Sequence, residues 1–324
     1  MSKISRLSLL KEVVVKDNSS KMSKDKGRRK TRGKSREQAK TEKEGSQKTM
    51  AAEDPTNVER KTQRKQIVKF VKSVLEKGPQ GLRSEFASMK RGNDFEKMKA
   101  FKSAQENGKI VTKTSDVWII IEQVEHIFML CNLLEKGAKK CFEYFPSKDK
   151  GTLEFEDKDQ KITVKFESSN EMKFEKSSKA KVIETVFLVE GPGGMSQKTT
   201  HYHWVDWPDR GVPAADMAIL ELLAKARVSK APIVVHCSAG IGRTGSVVMI
   251  EYIMDQLLSG QQIEESDKIL VKIREQRNNS IQTDQQYLFV HQILMNYFLE
   301  KKLFDKEIKE AHLQFTNQYL KCVQ

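Results

Sequence analysis

Residues 232–245 read PIVVHCSAGIGRTG, and this is the stretch of the chain whose reading decides its fold. A short β-branched run ends at Val235, a loop of small residues follows, and apolar Val247, Val248, Met254 and Leu258 then recur at helical spacing. The pattern predicts a strand over Ile233–His236, a tight loop, and a helix over residues 243–258 that stops at Gly260. Backbone N–H groups in such a loop, together with the free N–H groups of a helix start, form a cradle for a phosphate dianion. Ser238, Ala239 and Gly240 leave that backbone unobstructed, and Ile241 and Gly242 carry it into the helix. Arg243 falls at the first helical turn, where its planar fork grips two phosphate oxygens at once, as a lysine does not.

The same setting acts on Cys237. A free thiol ionises near about 8.5, and helix N-termini or nearby cations bring this to roughly 3.5–7.5. A thiolate aimed at bound phosphorus suits in-line displacement through a cysteinyl-phosphate, with Thr244 placed to steady the thiolate as it leaves. Two other readings of the loop compete. A buried cysteine is most often an inert small hydrophobe, the reading given to Cys131, Cys141 and Cys322. Cys237 departs from it because His236, three glycines, Arg243 and Thr244 fall where a phosphate cradle needs them. Gly240, Gly242 and Gly245 also spell a dinucleotide-binding pattern, but that pattern needs a second strand ending in an acidic residue about 20 residues on. Beyond Gly245 the sequence stays helical to Gly260, so the cofactor reading fails on context.

Outward from this loop, helices are expected over residues 67–75, ending at Gly78-Pro79, and over 82–89, 214–226, 264–276 and 284–298, with an amphipathic segment over 301–313. Strands are expected over 127–131, 152–156, 162–166, 182–190 and 198–205. Residues 91–115 are polar and lysine-rich, without a convincing strand. The fold class is α/β, a mixed sheet flanked by helices. Of the net charge of +14 across 324 residues, most falls in the first 65. That stretch is too polar to bury enough apolar surface to offset its ordering entropy, so a disordered basic tail is expected over 1–62. The domain is expected over 63–300 and a helical extension over 301–324. The densest basic run, KDKGRRKTRGKSR at 24–36, is either a solvated tail or a contact for nucleic acid, an import receptor or an acidic surface.

Four cysteines without a CxxC pair point to a reducing compartment, cytoplasmic or nuclear. No signal peptide is evident at the start, and the apolar region 117–134 is interrupted by Glu122, Glu125 and His126, so no membrane span is expected. The six histidines form no ligand cluster in sequence, so neither a metal nor another cofactor is expected.

HCSAGIGRTG at 236–245 resembles the signature of the protein tyrosine phosphatases specific for phosphotyrosine, and the resemblance extends over most of residues 64–300. It implies a central twisted mixed sheet flanked by helices, phosphotyrosine-containing proteins as partners, and hydrolysis through a cysteinyl-phosphate. Trp207-Pro208-Asp209, within HYHWVDWPDRGVP at 201–213, is similar to the family's mobile acid loop. That assigns Asp209 to protonate the departing tyrosyl oxygen and then to act as base on the attacking water. Gln282 and Gln286, within SIQTDQQYLFVH at 280–291, resemble the glutamine loop that holds this water. EKGAKKCFEYFP at 135–146 is similar to the segment that pairs Glu135 with Arg243 and brings Lys140 near Asp209. His236 is read as a neighbour tuning the thiolate.

One departure stands out. The family carries an Asn-Arg-Tyr recognition loop followed by further strands. Here Glu106-Asn107-Gly108-Lys109 runs into Ile110 and on to Trp118 with no tyrosine. The domain is therefore expected to be shortened near 108–117, with sheet edge left unpaired. The leading expectation is a tyrosine phosphatase; the alternative is a phosphotyrosine-binding, catalytically impaired relative or a truncated isoform.

Overall fold

A computed structural model describes residues 55–89, 123–157, 160–176, 178–301 and 304–323. The basic run at 24–36 and the shortening expected near 108–117 lie outside these residues.

The first helix, α1 (Pro55–Ser88), already runs at Pro55, inside the stretch expected to be tail. Ile67, Phe70, Val71 and Val74 form its buried stripe at helical spacing. As expected, two helical runs meet at Gly78-Pro79 within this span: Gly78, at φ 61 and ψ 174, leaves the helical region and ends the first run, and Pro79 starts the second.

Eight strands follow among the described residues: β1 (His126–Met129), β2 (Leu134–Glu135), β3 (Ala138–Lys139), β4 (Thr152–Asp157), β5 (Gln160–Glu171), β6 (Val182–Glu190), β7 (Ser196–Trp204) and β8 (Ile233–His236). Six form one sheet in the order β4-β5-β6-β7-β1-β8, and β2 and β3 form a small hairpin. β4 to β7 pair antiparallel, whereas β1 runs parallel to both β7 and β8. β6 shows the alternation that makes a half-buried strand, with Val182, Thr185, Phe187 and Val189 inward. β1 is instead apolar on both faces, as a parallel strand inside a covered sheet requires. Among the described residues β8 is an edge strand, paired by β1 on one side only.

Helices α2 (Ala218–Ala226), α3 (Gly242–Leu258), α4 (Ser266–Gln276), α5 (Asp284–Glu300) and α6 (Lys306–Val323) complete the chain. α3 and α5 are buried over most of their surface, with Ile250, Ile253 and Leu257 facing the same core as Leu288, Phe289 and Leu294. The C-terminal segment differs from expectation in its bounds. It is helical over Lys306–Val323 and packs on α1 and α5 through buried Phe315 and Tyr319, so it belongs to the folded body. No helix among the described residues is long and apolar enough to cross a membrane.

Candidate active site

Because β7, β1 and β8 run parallel, their carboxyl ends open on one edge of the sheet, where crevices of open α/β sheets take ligands. β7 leads into Trp207-Pro208-Asp209, β1 into Leu130–Glu135 and β8 into Cys237. The Leu130 N–H donates to the His236 carbonyl at 2.9 Å, which extends the parallel pairing as far as Cys237. Cys237 is buried, at 8% exposure, where β8 gives way to the loop.

The loop closes as its small residues predict. Gly240 takes φ 68, and a Cβ there would lie 2.5 Å from Arg277 Nη2. Arg277 donates from Nε to the Gly240 carbonyl and from Nη2 to the Ala239 carbonyl, each at 3.1 Å. The Ile241 carbonyl accepts from the N–H groups of Gly245 and Ile281, both at 3.0 Å. Three consecutive carbonyls that would repel a dianion are thus occupied by donors. α3 starts directly beyond, at Gly242, with its unpaired N–H groups and the positive end of its dipole at the loop.

Arg243 is buried and meets Glu135 fork to fork, Nη1 to Oε1 at 2.6 Å and Nη2 to Oε2 at 2.5 Å. Nη1 also donates to the Leu130 carbonyl at 2.6 Å and the Trp207 carbonyl at 3.3 Å, and Nη2 to Asp209 Oδ1 at 3.0 Å. Burial disfavours the guanidinium charge, but the two carboxylates outweigh it and hold Arg243 protonated. Burial likewise pushes Glu135 up, yet hydrogen bonds from Arg243 and the Asn132 N–H leave it below the usual carboxylate range. Asp209 is bridged on its other side by Lys140 Nζ, at 3.0 Å from Oδ2. The Lys140 hydrogen bond, with that of Arg243, holds the Asp209 carboxyl low, so in this arrangement it is ionised at neutral pH. Trp207 is buried against Trp204 and Phe289, which fixes the start of the acid loop.

Gln282 and Gln286 lie over the same loop. A Cβ at Gly242 would stand 2.4 Å from Gln282 Oε1 and 2.9 Å from Gln286 Nε2. Gln286 Oε1 accepts from the Gln282 N–H at 2.9 Å, while Gln286 Nε2 and Thr244 Oγ1 are buried without a protein partner. His236 reaches the backbone carbonyl of Cys237, from Nδ1 at 3.4 Å, and Tyr144 Oη, from Nε2 at 2.6 Å. Burial pushes its imidazole down to about 4, so it is neutral at physiological pH. Its contact with Cys237 is therefore that of a neutral imidazole on the backbone carbonyl.

Cys237, Arg243, Asp209, Glu135, Lys140, Gln282 and Gln286 thus come to one edge of the sheet. Two others were missed. Tyr144 links His236 to His201, at 2.6 and 2.7 Å, and Arg277 holds the loop carbonyls. Each acts on partners distant in sequence: Tyr144 lies within EKGAKKCFEYFP at 135–146, but nothing there specifies its histidine partners. Among the described residues no group of three or more His, Cys, Asp or Glu side chains is placed to hold a metal ion.

Comparison with known proteins places the chain in a family. A family model described as protein-tyrosine phosphatase matches residues 101–296. Human receptor-type tyrosine-protein phosphatase zeta is 33% identical over 235 residues, covering 68% of this chain and 9% of that protein. Tyrosine-protein phosphatase corkscrew of Drosophila virilis is 31% identical over 242 residues, covering 70% of this chain and 29% of that protein. The chain thus spans less than a third of the length of these curated relatives. In fold it is similar to the crystal structure of a Trypanosoma brucei protein tyrosine phosphatase, with a TM-score of 0.52 at 22% identity over 61% of this chain and 67% of that one.

Proposed function

The chain belongs to the protein-tyrosine phosphatase family, and from that premise we propose that it hydrolyses phosphotyrosine in proteins with Cys237 as nucleophile. The observation that carries the reading is the convergence of three groups. Cys237 sits at the foot of a loop whose carbonyls are occupied, Arg243 stands at the helix start behind it, and Asp209 is in hydrogen-bond contact with Arg243.

In the first step the Cys237 thiolate attacks phosphorus, an S–P bond forms and the P–O bond to the tyrosyl oxygen breaks. The oxygen leaves as a phenol if Asp209 hands it a proton. Arg243 serves the incoming dianion by exchanging Asp209 and the Trp207 carbonyl for phosphate oxygens, while Glu135 keeps the guanidinium in plane. That exchange removes a cation from Asp209 and sets a dianion nearby, both of which favour its protonated form. In the second step a water held by the Gln282 amide loses its proton to the Asp209 carboxylate and attacks phosphorus. The S–P bond breaks, phosphate departs and the thiolate returns, steadied by Thr244, whose buried hydroxyl has no protein partner.

The test is phosphate release from an aryl phosphate by the wild-type chain, Cys237→Ser and Asp209→Ala. Turnover should vanish in the first variant and fall about 10²–10⁴-fold in the second, the usual worth of a positioned acid. A folded wild-type chain that binds phosphopeptide without Cys237-dependent release would instead establish the catalytically impaired reading.

A further inference from the structure

Asn296 lies on α5, apart from the roles assigned above, yet it holds the far end of the acid loop. Its Nδ2 donates to the Ala215 carbonyl at 2.7 Å, in the segment that runs from Asp209 into α2. The near end of this segment is fixed separately, by Thr283 Oγ1 donating to the Arg210 carbonyl at 3.2 Å and by the buried Trp207. Next to Ala215, Asp216 accepts from Ser178 Oγ at 2.7 Å and from the Ala218 N–H at 3.0 Å.

Asn296 is itself held from behind. Gln292, one turn earlier on α5 and fully buried, donates from Nε2 to Asn296 Oδ1 at 2.7 Å. The same Nε2 stands 3.0 Å from Thr316 Oγ1 and 3.2 Å from His312 Nε2, both on α6. A row of polar groups thus crosses from the C-terminal helix, through α5, to the backbone that carries the proton donor. Burying an amide costs free energy unless it is paired, and Gln292 Oε1 is buried without a protein partner, so a leucine at this position would serve simple helix packing better.

We propose that Asn296, braced by Gln292 and by His312 and Thr316 of α6, is a positioning residue for the acid loop, setting where the Asp209 carboxyl rests over Cys237. The proposal rests on the phosphatase reading above. It makes the C-terminal helix part of the catalytic machinery's support, although α6 touches no group assigned to the chemistry.

Leaving-group dependence tests it. A phenolate of low basicity departs without a proton, so dinitrophenyl phosphate needs little from Asp209, whereas phenyl phosphate depends on it. In Asn296→Leu, turnover of phenyl phosphate should fall roughly 10-fold further than turnover of dinitrophenyl phosphate, an expectation scaled to the ~10²-fold cost of a 1 Å misplacement. Gln292→Met, which does not reach the loop, should shift the ratio the same way by less. An unchanged ratio, or an equal fall with both substrates, would overturn the proposal in favour of a purely structural role. Amide hydrogen exchange over residues 205–217 gives a readout that needs no turnover. Exchange there should quicken several-fold in Asn296→Leu while β1 and α3 stay protected, and an unaltered loop would refute the anchor. A wild-type chain that turns over neither substrate would sink the phosphatase reading, and the exchange measurement would still decide the anchor.

Discussion

Glu135→Gln is the substitution whose consequences follow most directly from the site. Glu135 offers both carboxylate oxygens to the Arg243 fork at 2.6 and 2.5 Å, with side-chain exposures of 9% and 3% for the two residues. Glutamine keeps one acceptor but turns an NH₂ group toward Arg243 Nη2, so one charge-assisted bond is lost and a donor faces a donor. Such a bond is worth about 1.5–3 kcal/mol, and breaking a buried ion pair by removing one partner costs about 3–5 kcal/mol. Asp209, 3.0 Å from the same Nη2, remains as a partial counter-charge and draws the expectation to the lower end, about 3 kcal/mol. For a domain of this size that lowers Tm by roughly 6–12 °C. Circular dichroism melts of the two proteins at pH 7 measure it directly. The pH dependence has a definite sign. The Glu135 carboxyl is held below its ordinary value in the folded state, so its contribution is fully present above about pH 4.3 and is lost as pH falls through the folded pKa. The gap between wild type and variant should therefore stand at neutral pH and close in acid. A difference at pH 7 within about 0.5 kcal/mol, the level of an ordinary surface substitution, would refute the buried-pair argument.

Arg277→Leu should weaken vanadate binding and lower kcat/KM by about 10-fold each, because two loop carbonyls lose their donor and face the anion's charge; equal vanadate affinity in the two proteins would show that Arg277 is idle. Gly245→Ala places a Cβ 2.7 Å from the Ile281 backbone nitrogen, a contact that no side-chain rotation relieves. A loss of about 1–3 kcal/mol is expected in urea unfolding, and a stability equal to wild type would mean that α3 and the glutamine loop separate freely. Phe315→Ala should cost about 3–5 kcal/mol in the same measurement if α6 is part of the folded body, and near-zero cost would return it to the status of an appendage.

The sequence alone determined what is local. Strand, loop and helix follow one another without interruption from Ile233 to Leu258, so their order is written in adjacent residues. β6 matched its expected bounds for the same reason, since alternating side chains report a half-buried strand directly. The pairing of Glu135 with Arg243, and of Lys140 with Asp209, was legible only through resemblance to a family, because nothing in their own neighbourhoods specifies a distant partner. α6 was misjudged at both ends: Phe315 and Tyr319 qualify as a buried face only once α1 and α5 are there to receive them. The bonds of Tyr144, Arg277 and Asn296 could not be read at all. Tyr144 bonds two histidines from separate strands, and the other two bond backbone carbonyls, which every residue possesses and which leave no mark in a sequence. The tertiary structure decided which distant groups meet, because only the packed sheet and helices bring those strands and carbonyls within a hydrogen bond's reach.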